Sequence, residues 1–271
     1  MLRIDDLGKT FTDERLGSEV IALSGIDLCV EDGEFVSVIG PSGCGKSTLM
    51  DIVAGLERPT TGMVHIGDEL IDRPHPDVGV VFQQDATFPW LTNRQNVEFG
   101  LRRSGLSKRD RASRAMETLE LVGVQEFADH RPGQLSGGMR QRVNIARVLA
   151  ARPQILLMDE PFGALDEQTR LRLGDELLRI WRETGGTVLF ITHSLSEAAM
   201  LSDRIAVMTP RPGRIKEIVT SPLPRTRSSD NIGSPEFAEV TGRLWNDLSH
   251  PGPAGARSPA DPSAAPTEAV G

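Results

Sequence analysis

The chain has 271 residues, of which 38% are hydrophobic and 25% charged. That balance fits a soluble globular protein and excludes a disordered chain or one built around membrane spans. Lys and Arg total 30 against 38 Asp and Glu, a formal net charge of −8 that argues against a free-standing nucleic-acid binder. The longest apolar runs, Ile155 to Met158 and Val188 to Ile191, fall far short of the ~20 residues a bilayer requires. Charged side chains are scattered from the first residues onward, so no secretory signal is expected. Cys29 and Cys44 are too few for a disulfide framework and lack the His partners of a zinc site, so a reducing, cytoplasmic setting is expected.

No repeat of 20–50 residues is visible, which argues against solenoids and propellers. In chain order, Val20 to Val30 alternates loosely like a strand, Glu34 to Ile39 is a compact apolar strand, and Lys46 to Ala54 reads as a helix. Met63 to Ile66 and Val78 to Phe82 are strand-like, separated by the Pro74-His75-Pro76 turn. From Asn93 to Ala151 the texture is helical. After that, β-like Ile155 to Met158, Thr187 to Thr192 and Arg204 to Met208 alternate with helical Glu167 to Glu183 and Ser196 to Leu201. Buried strands alternating with amphipathic helices predict an α/β fold with a parallel sheet, and the helical middle reads as an insertion between its two halves. The pattern decays after Pro222, with a short helix expected over Phe237 to Leu248. Residues 251–271, mostly Pro, Ala, Gly and Ser, read as a disordered tail that cannot bury enough apolar surface to offset its ordering entropy.

The strand Phe35 to Ile39 runs straight into Gly40-Pro41-Ser42-Gly43-Cys44-Gly45-Lys46-Ser47-Thr48, a match to the phosphate-binding loop pattern G-x-x-x-x-G-K-[ST]. Its glycines let successive backbone N–H groups turn toward phosphate oxygens, and the helix that follows presents its positive end to the same anion. Lys46 is placed to reach the β- and γ-phosphates, and the Ser47 hydroxyl to ligate Mg²⁺. The run Ile155 to Glu160 is a buried strand ending in two carboxylates. Read by itself this is a solvated acidic turn; read with the loop, Asp159 holds Mg²⁺ and Glu160 polarises an attacking water. Between them, Leu135-Ser136-Gly137-Gly138-Met139-Arg140-Gln141-Arg142 opens a helix with Ser136 as its cap and two glycines that admit an anion.

With these residues in this order, residues 2 to 220 resemble the ATP-binding subunit of ABC transporters. Gln83, after Val80-Val81-Phe82, matches the Q-loop glutamine, and Leu135 to Gln141 the family signature. Asp159 and Glu160 match the Walker B aspartate and catalytic glutamate, Ala164-Leu165-Asp166 the D-loop, and His193 the switch histidine. Phe11 falls where the family places an aromatic against adenine, although Tyr is commoner there and this chain has none. The resemblance implies a P-loop NTPase cassette with a mixed-sheet core, an antiparallel β subdomain and an inserted helical subdomain at about 84–153. It implies domain bounds of 1–222, an extension over 223–250 and a tail beyond. It also implies head-to-tail dimers, with each ATP held between one chain's loop and the partner's Ser136, Gly137, Gly138, Gln141 and Asp166. Glu160, His193 and Gln83 would be catalytic, and Ser47, Gln83 and Asp159 would hold Mg²⁺.

Finer features resemble the nitrate/sulfonate/taurine importers: Gln83 to Thr92 with Phe88-Pro89-Trp90, Asn96-Val97, Pro161 to Asp166, and Arg211-Pro212-Gly213-Arg214-Ile215. The resemblance implies an ATPase motor on the cytoplasmic face of the membrane, with separate permease subunits, an extracytoplasmic substrate-binding protein acting indirectly, and no nucleic acid. Three readings stay open: importer motor, exporter cassette, and a soluble ABC ATPase acting on DNA or ribosomes. The last usually carries two cassettes or long coiled coils, which this chain lacks.

Overall fold

The computed structural model describes residues 1–13, 18–83, 86–163 and 165–250. The expected tail at 251–271, and the Gln84, Asp85 and Ala164 positions within the motifs, lie outside the described residues. Strands β1 (Leu2–Asp13), β2 (Ser18–Val30), β4 (Thr61–Ile66) and β5 (Glu69–Leu70) form an antiparallel sheet in the order β2-β1-β4-β5. A second sheet runs β10-β9-β3-β8-β7-β6, built from β3 (Phe35–Ile39), β6 (Val78–Val81), β7 (Ile155–Asp159), β8 (Thr187–Ile191), β9 (Arg204–Met208) and β10 (Ile215–Thr220). Its pairs are parallel except β9 with β10, so the sheet is mixed.

Helix α1 (Lys46–Val53) follows β3, while α2 (Asn93–Gly100), α3 (Lys108–Leu121) and α4 (Gly137–Leu149) lie between β6 and β7. Helices α5 (Glu167–Thr184) and α6 (Leu195–Leu201) make the crossovers after β7 and β8, and α7 (Pro235–Ser249) comes last. The helix α7 is longer than the short segment expected, because Ser234 caps it, Pro235 suits its first turn, and Phe237, Val240 and Leu244 bury one face. Strands β1 and β10 were not expected from the sequence. Leu2, Ile4 and Leu7 of β1 are buried, but irregular register breaks its alternation, and β10 is a mostly half-buried edge.

Every residue of β3 and β8 is buried, the signature of a sheet covered on both faces. Side-chain alternation divides these strands between two cores. Phe35, Ile39, Leu156, Met158, Val188 and Phe190 pack with the helices α2 to α7, whereas Val36, Val38, Ile155, Leu157, Leu189 and Ile191 pack with α1 and the antiparallel sheet. Phe35 meets Trp181 and Phe190 with ring centroids 5.7 Å apart in each case. Truncating such a ring to Ala costs roughly 3–5 kcal/mol.

Register decides where the chemistry falls. Val38 lies opposite Ile191, Ile191 opposite Asp159, and Met158 opposite Val81. The residues just past these positions are Gly40, His193, Glu160 and Gln83, so four adjacent strand ends release them along one edge, the carboxyl edge where open α/β sheets bind ligands.

Candidate functional site

The loop from Gly40 to Thr48 turns through two glycines with left-handed backbone, Gly43 at φ 74° and Gly45 at φ 104°, a region that costs a side chain strain. Gly45 is the N-cap of α1 and makes no side-chain cap. Among the described residues every other α-helix is capped by a Ser, Thr or Asp oxygen. The first N–H groups of α1 are thus left for an external acceptor, and no acidic residue in the first turn competes. The Lys46 ammonium, nearly buried, is held at 2.8 Å by the Gly40 carbonyl and at 3.2 Å by that of Pro41, with Cys44 Sγ at 3.8 Å. Carbonyl dipoles hold its position without neutralising it, so its charge remains available to an anion. Ser42, Gly43, Gly45, Lys46, Ser47 and Thr48 line an open cavity of ≈ 390 Å³ shared with Phe11, Gln83 and Glu160.

Asp159 closes β7 beside this loop, accepting a hydrogen bond from the Ser47 hydroxyl. Burial pushes its carboxyl above the ordinary aspartate range; the hydroxyl and Lys46 oppose that, while the charges of Glu160 and Asp51 add to it. Burial raises Asp51 as well. A hydroxyl and an under-compensated carboxylate are hard oxygen donors suited to a small divalent cation. Two such donors suit a metal that takes one or two protein ligands and completes its shell with phosphates and water.

Glu160 has left-handed backbone at φ 42°, which costs an L-residue roughly 1–2 kcal/mol. The turn is pinned because its N–H donates to the Ile191 carbonyl at 2.9 Å and its own carbonyl accepts from Gly163 at 3.1 Å. This aims the carboxylate back across the sheet edge, where Oε2 lies 3.0 Å from His193 Nδ1 and accepts from Gln83 Nε2 at 3.3 Å. The structure therefore unites the loop, Asp159, Glu160, Gln83 and His193. Phe11 also lines the cavity, 40% exposed, with the Lys9 ammonium 4.9 Å from its ring centre.

The remaining expected residues stand elsewhere. Ser136 caps α4 by accepting from the Met139 N–H at 3.3 Å, and Ser136 and Gly137 are exposed. A Cβ on Gly138 would stand 2.9 Å from Thr169 Cγ2, so glycine there lets α4 approach α5. Asp166 caps α5 by accepting from Thr169 at 3.0 Å, and these hydrogen bonds hold its carboxyl below the ordinary range. Gln141 is buried within its own chain, and its Nε2 has no partner among the described residues. None of these five residues lines the cavity.

Two features of the site escaped the sequence reading. Glu197, buried on α6, accepts from Thr192 Oγ1 at 2.5 Å and pairs with Arg170 at 3.3 Å, bracing the turn that carries His193. Its only sequence signal is an acid four residues after a strand-end His. Arg211, in sequence only part of the importer-like 211–215 segment, lines the cavity from the β9–β10 turn.

A phosphate-binding loop on a mixed α/β sheet, with acid, amide and imidazole assembled beside it, defines a nucleotide-hydrolysing P-loop protein. Residues 23–163 match the ABC transporter family. An ABC transporter ATP-binding protein of Methanocaldococcus jannaschii is 50% identical over 247 residues, 91% of each chain. The taurine import ATP-binding protein TauB of Sinorhizobium fredii is 48% identical over 226 residues, and the nitrate import ATP-binding protein NrtD of Synechocystis sp. is 46% identical over 223. These alignments span 83% and 82% of this chain, and 83% of each relative. An ATP-binding cassette solved as a post-hydrolysis dimer with ADP and Pi superposes with TM-score 0.70 at 35% identity, covering 81% of this chain and 98% of that one. The chain belongs to the ABC transporter family and is an ATP-hydrolysing cassette of it.

Proposed function

We propose that this cassette is the motor of a membrane importer for nitrate, taurine, alkanesulfonates or a similar small anion. It would work as a homodimer on the cytoplasmic face of the membrane, beneath separate permease subunits served by an extracytoplasmic substrate-binding protein. The observation that carries this reading is the divided site. The loop, Asp159, Glu160, Gln83 and His193 converge, while Ser136, Gly137 and Gly138 stand outside their own cavity, available to a second copy. The dimeric cassette with ADP and Pi, and the nitrate and taurine import proteins among the relatives, support the rest.

In this reading the α1 amides and Lys46 hold the ATP phosphates, Phe11 stacks on adenine, and Ser47, Gln83 and Asp159 hold Mg²⁺. The metal, when bound, neutralises charge on the transferring phosphoryl group. Glu160 orients the attacking water and takes its proton. His193 keeps the Glu160 carboxylate in line, its Nδ1 lying 3.0 Å from Oε2. The partner's copy of the 136–138 segment closes the site and excludes water.

Docking has its own surface. Trp90 is 67% exposed, its ring 5.4 Å from that of Phe88, which in turn packs on Phe99 at 4.6 Å. The fully buried Asn96 fixes this display by accepting from the Phe88 N–H at 2.7 Å and donating to the Thr92 carbonyl at 3.0 Å. An apolar cluster beside a phosphate-sensing glutamine suits a helix of a permease subunit. Deleting the gene and measuring uptake of labelled nitrate, taurine and an alkanesulfonate tests the reading: uptake of one of them is lost. If all three enter at the wild-type rate, the small-anion importer assignment is wrong.

A further inference from the structure

We propose that Arg211 is a second phosphate-binding cation of the nucleotide cavity, delivered from outside the P-loop by the β9–β10 turn. The inference rests on the reading of that cavity as the ATP site. Arg211 lines the same cavity as Ser42, Lys46 and Phe11, and its Nε donates to the Gly43 carbonyl at 3.2 Å. That single bond leaves the Nη edge of the fork unspent. The side chain is exposed, and no carboxylate among the described residues pairs with it. Elsewhere in the chain Arg204 is paired with Glu34, and Arg225 and Arg227 with Asp203. An unpaired guanidinium on a phosphate cradle, beside a lysine held by the Gly40 and Pro41 carbonyls, adds positive charge where a phosphate would sit.

The turn is tied by its backbone to β2 and packs against the loop. The Gly213 N–H donates to the Ala22 carbonyl at 2.9 Å, and the Ser24 N–H to the Gly213 carbonyl at 3.0 Å. Thr209 closes the turn, its hydroxyl donating to the Pro212 carbonyl and accepting from the Arg214 N–H, each at 3.1 Å. Gly213 is required because a Cβ there would collide with the Cys44 carbonyl inside the phosphate loop. Arg211 is therefore held in position before any nucleotide arrives, so little entropy is lost when it engages.

Calorimetric titration of the full chain with Mg-ADP at low and high salt tests this. Arg211→Gln is expected to weaken binding about tenfold at low salt, the worth of one charge-assisted contact at a partly solvated site. Arg211→Lys, which keeps the charge, retains most of the affinity, and the wild type loses more affinity with salt than Arg211→Gln does. Binding by Arg211→Gln within about twofold of the wild type overturns the proposal. So does a wild-type affinity that falls with salt no more than that of Arg211→Gln, since the hydrogen bond to Gly43 would then be the whole effect. Lys46→Ala separates the two levels. If it abolishes Mg-ADP binding while Arg211→Gln binds normally, only the Arg211 assignment fails; if the wild type itself does not bind, the reading of the cavity fails.

Discussion

Replacing Glu160 by Gln removes one charge while preserving shape. In the native site Oε2 takes both the Gln83 amide and the His193 ring, at 3.3 and 3.0 Å. A Gln carbonyl oxygen can accept from both donors, so the arrangement survives and only the proton acceptor is lost. The expected fall in hydrolysis is that of losing a general base, about 10² to 10⁴-fold, or about 2.7–5.4 kcal/mol on the barrier. Mg-ATP binding should stay intact, and the slow variant should accumulate as an ATP-bound dimer visible by size-exclusion chromatography. Glu160→Gly supplies a control on stability. It relieves left-handed strain of roughly 1–2 kcal/mol at the cost of about 0.5–1 kcal/mol in unfolded-chain entropy, so it should be inactive yet no less heat-stable than the wild type. Hydrolysis by Glu160→Gln at more than about a tenth of the wild-type rate would refute the role assigned to this carboxylate.

Chains carrying Lys46→Ala and chains carrying Ser136→Arg should each be inactive alone and recover part of the ATPase activity when mixed, because a mixed dimer holds one intact composite site; no recovery would mean the sites are not shared. Gly213→Ala should lower the melting temperature through an overpacking cost of about 1–3 kcal/mol, roughly 2–4 °C for each, and weaken Mg-ADP binding with it. Unchanged calorimetric scans and affinity would show that the turn does not bear on the loop. Burial raises the Glu197 carboxyl above its ordinary value of 4.5, with Thr192 and Arg170 opposing the shift. The native state therefore binds more protons than the unfolded chain just above that pH, and stability should decline as pH rises through this window. Glu197→Gln should lack that decline; parallel melting curves for the two proteins across the window would contradict the assignment.

The phosphate loop was legible because its determinants are local: glycines where φ must be positive, a Lys and Ser at fixed spacing, an apolar strand before and a helix after. Asp159 and Glu160 were legible for the same reason, at the end of a run too apolar to be anything but buried. The gathering of Gln83, Glu160 and His193 was readable only through family resemblance, since nothing in their separations in sequence predicts a shared hydrogen-bond network. Strand register, set by side-chain packing on both faces of the second sheet, brought their strand ends level.

Other features were decided wholly by tertiary structure. The edge strand β10 carries too little apolar patterning to declare itself, because an edge needs to bury only part of one face. Arg211 reaches a carbonyl 168 residues away through a turn whose glycine matters only for what lies opposite it. The sequence by itself determined which chemistry the chain can perform, because backbone conformation and residue type act over a few neighbours. Only the folded chain decided which charges meet, because electrostatic and packing contacts depend on distance in space, and the parallel crossovers make that distance independent of sequence separation.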